Sequence, residues 1–160
     1  MINLLCVLGF LFLVPYIQIF ALSRIFVFGS IYYSPSLFIA TLILFSAKMP
    51  FTHTYTYAFL LGVISSIIYG LPAGINAVSY LLIVMVMSKF ASNFDLTGFV
   101  GQFILGFAAL MFNWFYVFIL SMFLNISSPS FFSAILSSFM TGILLVFLFS
   151  VFFTRRKSIV

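Results

Sequence analysis

Six apolar runs alternate with short polar or turn-forming breaks along the chain, and none of the runs contains a charged residue. A helix of ~20 apolar residues covers the hydrocarbon core of a bilayer, which is ~30 Å thick. The surface helix of a soluble protein would instead carry a polar face opposite its apolar one. We therefore predict an all-α integral membrane protein, a bundle of six transmembrane helices. The runs cover residues 2–22, 31–47, 55–70, 75–88, 98–123 and 131–153.

The first two runs are the least regular. Pro15 is expected to kink the first helix one turn before Gln18. The second run has about 17 residues if it is counted from Ile31, which gives a helix of roughly 25 Å. That length is short for a span unless Tyr32 and Tyr33 lie among the lipid headgroups. The alternative is that the second and third runs form one re-entrant hairpin.

The composition also indicates that most of the chain lies in lipid. The chain has 160 residues, of which 66% are apolar and only 4% are charged, whereas about a quarter of the residues of a soluble domain are charged. The mean hydropathy is +1.40. We predict one polytopic transmembrane domain over residues 1–160. The single cysteine, Cys6, excludes an internal disulfide, and the bulky Leu5 before it favours a buried thiol over a lipoprotein cleavage site.

The positive charges predict the orientation of the chain. Cytoplasmic loops carry an excess of Lys and Arg, and with six spans both termini share one side. We predict that this side is the cytoplasm, because the opposite face then holds only Arg24. The basic tail, residues 155–157, is expected to meet anionic membrane lipids rather than an acidic protein, and no nucleic acid is expected. The basic residues on the cytoplasmic side are Lys48, Lys89, Arg155, Arg156 and Lys157.

Few side chains are suited to chemistry. Asp95 is the only acidic residue and His53 the only histidine, and both lie in loops on the predicted cytoplasmic side. A hydrolase needs a positioned nucleophile with its base, or a pair of carboxylates, and metal catalysis needs several ligands. An ion-coupled transporter usually keeps an ionisable group within a span. We therefore predict no enzymatic activity, no cofactor and no metal.

Small residues recur every fourth position through the third and fourth runs. In membranes such residues let the backbones of two helices approach closely. We therefore predict a tight helical hairpin whose small and polar residues pack against a neighbouring helix or a partner. A ligand cavity lined by the same residues is the alternative. The residues concerned are Gly62, Ser66, Gly70, Pro72, Gly74 and Asn76.

The fifth and sixth runs each carry one face of small and polar residues, at spacings of four, three and four. Polar side chains within lipid are expected to face another helix, so these faces are predicted helix-packing or partner contacts. On the fifth run the face holds Gln102, Gly106, Ala109 and Asn113. On the sixth it holds Ser130, Ala134, Ser137 and Thr141.

Two short sequence motifs resemble those of a known family. Pro35-Ser36-Leu37 opens the second apolar segment, and the glycine series 62–74 runs into Asn76-Ala77. Together they resemble the rod-shape-determining protein MreD family, which are small bacterial membrane proteins. Ser66 stands where that family often has an acid, and Ser36 where Asp or Asn often follows the proline.

The resemblance implies a non-catalytic scaffold of the bacterial cell-elongation machinery. Such a scaffold lies in the cytoplasmic (inner) membrane and binds the bitopic protein MreC through helix–helix contacts. Through MreC it links MreB filaments to the membrane glycosyltransferase and transpeptidase of peptidoglycan synthesis. The family is also similar in fold to the S components of energy-coupling-factor transporters. The alternative is therefore a vitamin-binding subunit with a pocket near residues 71–76.

Overall fold

The computed structural model describes residues 4–22, 26–28, 31–33, 35–47, 51–72, 74–90, 98–124 and 130–154. The prediction of six helices is confirmed within these ranges. A π-helix, Gln18–Leu22, continues α1, and two short strands precede α2: β1 (Phe26–Phe28) and β2 (Ile31–Tyr33). The six helices are α1 (Leu4–Ile17), α2 (Leu37–Ser46), α3 (Phe51–Ile68), α4 (Ile75–Phe90), α5 (Phe99–Leu124) and α6 (Phe131–Thr154).

The last four helices follow the apolar runs closely. Helices α4, α5 and α6 begin and end within two residues of their predicted bounds. Helix α3 begins at Phe51, four residues before the predicted start. The polar threonines at its start do not stop it, since a helix can begin directly after a proline such as Pro50. His53 therefore lies exposed in the first turn of α3 and not in a loop.

The second run differs from the prediction. A helix from Ile31 is wrong, because Ile31–Tyr33 pairs antiparallel with Phe26–Phe28. Pro35 has a fixed φ and no backbone N–H, which prevents α2 from extending backwards. The β-branched and aromatic residues before it favour a strand. What remains helical, Leu37–Ser46, has 10 residues.

This short helix forms the centre of the bundle. It contacts all five other helices, and β2 lies against α6. A helix that is apolar on every side is stable only when protein or lipid surrounds it. Accordingly eight of the ten residues of α2 are buried, namely Phe38, Ile39, Ala40, Thr41, Leu42, Ile43, Leu44 and Phe45.

The outer surface of the bundle is apolar, while many polar side chains lie inside. Two helices, Phe99–Leu124 and Phe131–Val151, are long and apolar enough to cross a membrane. Phe12 and Phe123 are each 80% exposed. Extensive exposed apolar surface marks contact with a membrane or another protein. The polar residues that are fully shielded include Thr54, Ser65, Ser66, Ser79, Ser138 and Thr141.

Candidate functional site

Helices α3 and α4 approach most closely at Gly62. A Cβ atom built there would lie 2.6 Å from the backbone N of Ala77 and 2.9 Å from the backbone C of Asn76, so no side chain fits. One turn further on, the Oγ of Ser66 accepts a hydrogen bond of 3.0 Å from the backbone N–H of Asn76. The structure thus places Gly62, Ser66 and Asn76 together in one helix contact within the chain.

Gly70 and Gly74 have a different role from the one expected. Their φ angles are +66° and +102°, and nothing lies within 4 Å of a Cβ built on either. The N–H of Gly70 bonds to Ile67 O, and that of Leu71 to Ser66 O, at 3.2 and 2.9 Å. This pair of bonds is the Schellman motif, which requires a left-handed residue after the helix. The two glycines therefore form the turn and do not pack against a helix.

Pro72 lies exposed in the same turn. Its carbonyl oxygen accepts a hydrogen bond of 3.3 Å from the N–H of Ile75, the first residue of α4. The turn is therefore closed by backbone bonds at both ends. Contact of Pro72, Gly70 or Gly74 with a partner protein stays a prediction.

Three side-chain hydrogen bonds hold the start of α2 inside the bundle. Gln18 donates from Nε2 to Pro35 O at 3.1 Å and accepts from the N–H of Leu37 at 2.7 Å. The N–H of Ser36 donates to Thr141 Oγ1 of α6 at 2.8 Å. The first N–H groups of a helix have no partner within it, and buried ones require a partner elsewhere. Gln18 and Thr141 supply those acceptors from positions 19 and 105 residues away in the sequence.

Further hydroxyl groups extend this buried polar cluster between α2, α3 and α4. The Tyr80 hydroxyl of α4 shares side-chain hydrogen bonds with Ser65 and Ser36. The Tyr57 hydroxyl donates to Thr41 Oγ1 at 3.4 Å. Every buried polar side chain among the described residues is uncharged. The cluster can therefore orient neutral hydrogen-bonding groups.

Helices α5 and α6 meet through glycine, at Gly106 of the predicted α5 face and at Gly142, which lies outside the predicted α6 face. A Cβ on Gly106 would lie 3.1 Å from the Cα of Gly142, and a Cβ on Gly142 would lie 2.8 Å from the ring of Phe103. Gln102 of α5 is buried, and Asn113 of α5 is half-buried. The α5–α6 pair thus uses small residues at its contact, as α3–α4 does.

A groove of about 400 Å³ lies between α4 and α5, away from residues 71–76. The sequence did not predict this groove, because no contact was expected between the parts of α4 and α5 that form it. Gly101 and Ala108 are seven residues apart, or two helical turns, and this spacing was the available signal. The residues that line the groove are Ile83, Val86, Met87, Gly101, Ile104, Leu105, Ala108, Ala109 and Phe112.

Six of the seven charged residues lie outside the described residues, namely Arg24, Lys48, Asp95, Arg155, Arg156 and Lys157. Lys89 lies exposed in the last turn of α4. The part of the chain that the structure describes contains no group of three or more His, Cys, Asp or Glu residues that could hold a metal ion.

Comparison with protein-family models, with curated proteins and with solved structures finds no match. The resemblance to the MreD family therefore rests on the residues quoted from the sequence. The helical fold and the contacts described above come from this chain alone.

Proposed function

We propose that the protein is a non-catalytic membrane scaffold of the bacterial cell-elongation machinery that binds MreC through helix–helix contacts. It spans the cytoplasmic membrane six times, with both termini in the cytoplasm. The observation that carries the proposal is the distribution of polarity: apolar side chains face outward, and uncharged polar side chains face inward. In lipid, polar groups seek other helices and apolar surface needs no cover.

The short α2 cannot cross a bilayer alone, and the proposal accounts for its length. Ten helical residues extend only ~15 Å, so the hairpin β1–β2 has to complete the second passage. Non-helical backbone at membrane depth is tolerated where protein buries it. The bonds from Gln18 and Thr141 satisfy the backbone at residues 35–37 in this way.

The topology is tested with a reporter enzyme that is active only outside the cytoplasmic membrane. Fused after Val160, it should remain inactive, because six spans return the chain to the cytoplasm. The matched fusion in the turn at Pro72 should be active. A signal from the C-terminal fusion contradicts the proposed topology.

The groove between α4 and α5 is the surface proposed for the partner helix. The glycine contact at Gly62 is already filled by α4 of the same chain, whereas Val86 and Ile104 of the groove are 49% and 56% exposed. Small residues such as Gly101 let a second helix approach. The apolar lining lacks the placed polar groups that orient a vitamin, which favours a partner helix over a vitamin as the occupant of this groove.

Two substitutions on α4 test this surface with a matched control. Val86 lines the groove and Val78 does not, yet their exposures are 49% and 48%. Val86→Phe fills the groove and should reduce the amount of MreC that co-purifies in mild detergent, while Val78→Phe should leave it unchanged. Equal recovery of MreC with both variants excludes the groove as the contact surface.

The cellular role has its own test. Depletion of the protein from a rod-shaped host should round the cells, because elongation loses its membrane link. Complementation with the Val78→Phe variant should restore the rod, and complementation with Val86→Phe should not. Cells that keep a constant width after depletion contradict the proposed function.

A further inference from the structure

Two irregularities meet near the end of α1. Pro15 lies inside the helix, and the π-helix Gln18–Leu22 begins three residues later. Proline has no N–H to donate to the carbonyl group four residues before it, and a π-helix interrupts the α-helical pattern of hydrogen bonds. Sharp bends in helices occur at these two features. Residues 15–18 are therefore the part of α1 at which the helix bends most easily.

The C-terminal side of this region is fixed to the bundle by Gln18. The Gln18 side chain is only 3% exposed. Its amide donates to Pro35 O at 3.1 Å and accepts from the N–H of Leu37 at 2.7 Å. Two bonds to one planar amide hold both its position and its orientation. The start of the π-helix is therefore anchored at the entry to α2.

The part of α1 before Pro15, residues 4–14, is the arm, and it packs through one narrow face. Among the side chains of the arm that the structure describes, Leu11 and Val14 are buried, whereas Phe12 is 80% exposed. Leu11 and Val14 are three residues apart and so lie on the same side of the helix. Nothing lies within 4 Å of a Cβ built on Gly9. At this glycine the arm makes no close backbone contact of the kind that joins α3 to α4.

We propose that residues 15–18 form a hinge about which the arm bends relative to the bundle, with Gln18 as the fixed point. Helix α1 lies against α2 and α3, so an outward bend uncovers part of the central helix α2 and gives lateral access to it. Lipid tails are as apolar as the side chains that the arm covers, and in a membrane they replace the arm at little cost. The hinge does not depend on which partner binds the groove between α4 and α5.

Distances between pairs of spin labels, measured by pulsed electron paramagnetic resonance, test the hinge. The labels are attached to Gly9→Cys in the arm or, as the matched control beyond the hinge, to Phe20→Cys, since both positions are exposed. Each is paired in turn with Ile143→Cys of α6 and Val78→Cys of α4, which are also exposed, in a chain whose single native cysteine is removed by Cys6→Ser. Mild detergent keeps the measurement independent of the proposed location in a membrane.

The arm should give the broader distance distributions. A bend of ~20° about Gln18 moves a residue nine positions away, or ~14 Å, by about 5 Å. The distributions from Gly9→Cys should therefore be wider than those from Phe20→Cys by about this amount. Equal widths at the two positions, with both reference sites, overturn the proposal.

Two variants separate a hinge from simple fraying of the helix end. Pro15→Ala restores the missing N–H and should narrow the Gly9→Cys distributions to the width found for Phe20→Cys, whereas fraying would leave them broad. Gln18→Leu removes the fixed point and should broaden the Phe20→Cys distributions as well. Distributions from the arm that Pro15→Ala does not narrow overturn the hinge, and Phe20→Cys distributions that stay narrow in Gln18→Leu overturn its anchoring.

Discussion

The two helical hairpins α3–α4 and α5–α6 each pack two helices closely, but the residues at their contacts differ. The first has helices of 18 and 16 residues, a turn with two left-handed glycines and a contact rich in hydroxyl groups. The second has helices of 26 and 24 residues with exposed apolar surface along most of their length. In both hairpins the two helix backbones approach each other at a glycine. The atoms nearest to the glycine differ between the two hairpins.

The difference determines how much each contact tolerates change. At Gly62 the nearest atoms belong to the backbone of α4, which cannot move without moving the helix. At Gly142 two of the three nearest atoms belong to the ring of Phe103, which can rotate away in part. The α3–α4 contact is therefore rigid and specific, whereas the α5–α6 contact is adaptable.

Gly62→Ala should have the largest effect. Overpacking a rigid contact costs up to about 3 kcal/mol or more, and the helix propensity of alanine returns only about 1 kcal/mol. We expect the free energy of unfolding, measured by detergent-denaturant titration, to fall by about 2–3 kcal/mol. Gly98→Ala is the control, because nothing lies within 4 Å of a Cβ at that position. A stable Gly62→Ala variant would refute the rigid contact.

Ser66→Ala should have the next largest effect. The substitution leaves the buried N–H of Asn76 without its acceptor, and the loss of such a partner costs about 1–2 kcal/mol. Ser138→Ala on α6 should cost less, since that hydroxyl only supplements a helical bond to Ala134. Equal losses in the two variants, measured by the same titration, would show that the hydroxyls of the two hairpins are equivalent.

Gly142→Ala tests whether the α5–α6 contact is the more adaptable of the two. A methyl group would meet the Phe103 ring at 2.8 Å but also its carbonyl oxygen at 2.9 Å, so some strain remains after the ring moves. The net loss should be about 1 kcal/mol, below that of Gly62→Ala. Combining Gly142→Ala with Phe103→Leu should recover part of the loss. A double mutant no more stable than the single one would place the strain in the backbone.

Gly70→Ala should have an effect about as small as that of Gly142→Ala. Space around the residue is open, so the cost is that of placing an alanine at a φ of +66°, about 1 kcal/mol. Gly70→Asn should recover much of this, because asparagine tolerates the left-handed region. If alanine and asparagine destabilise the protein equally, as measured by thermal unfolding in detergent, the turn is not limited by its φ angle.

Much of the helical fold could be predicted from the sequence, but the hairpin before α2 could not. Long apolar runs with clear ends located α4, α5 and α6, because a helix that is apolar throughout needs no finer pattern. The second run mixed the sequence features of a strand and a helix, and the apolar count alone did not separate them. The deciding feature was Pro35, which lies between β2 and α2 and lacks the backbone N–H that a helix from Ile31 would require there.

For the candidate site, spacing along the chain located part of what the structure contains. The four-residue spacing correctly grouped Gly62 with Ser66, whereas it also included Gly70 and Gly74, whose roles depend on backbone angles that spacing does not encode. The bonds of Gln18 to residues 35 and 37 join distant segments. Such bonds follow from tertiary packing and leave no local pattern in the sequence.

The bond between the N–H of Ser36 and Thr141 has a consequence for the order of assembly. The two residues are 105 positions apart, so the amide at the entry to α2 lacks its final acceptor until the ribosome has reached the middle of α6. A nascent chain released before that point carries an unfinished central helix. Completion of the bundle is thus tied to the synthesis of α6.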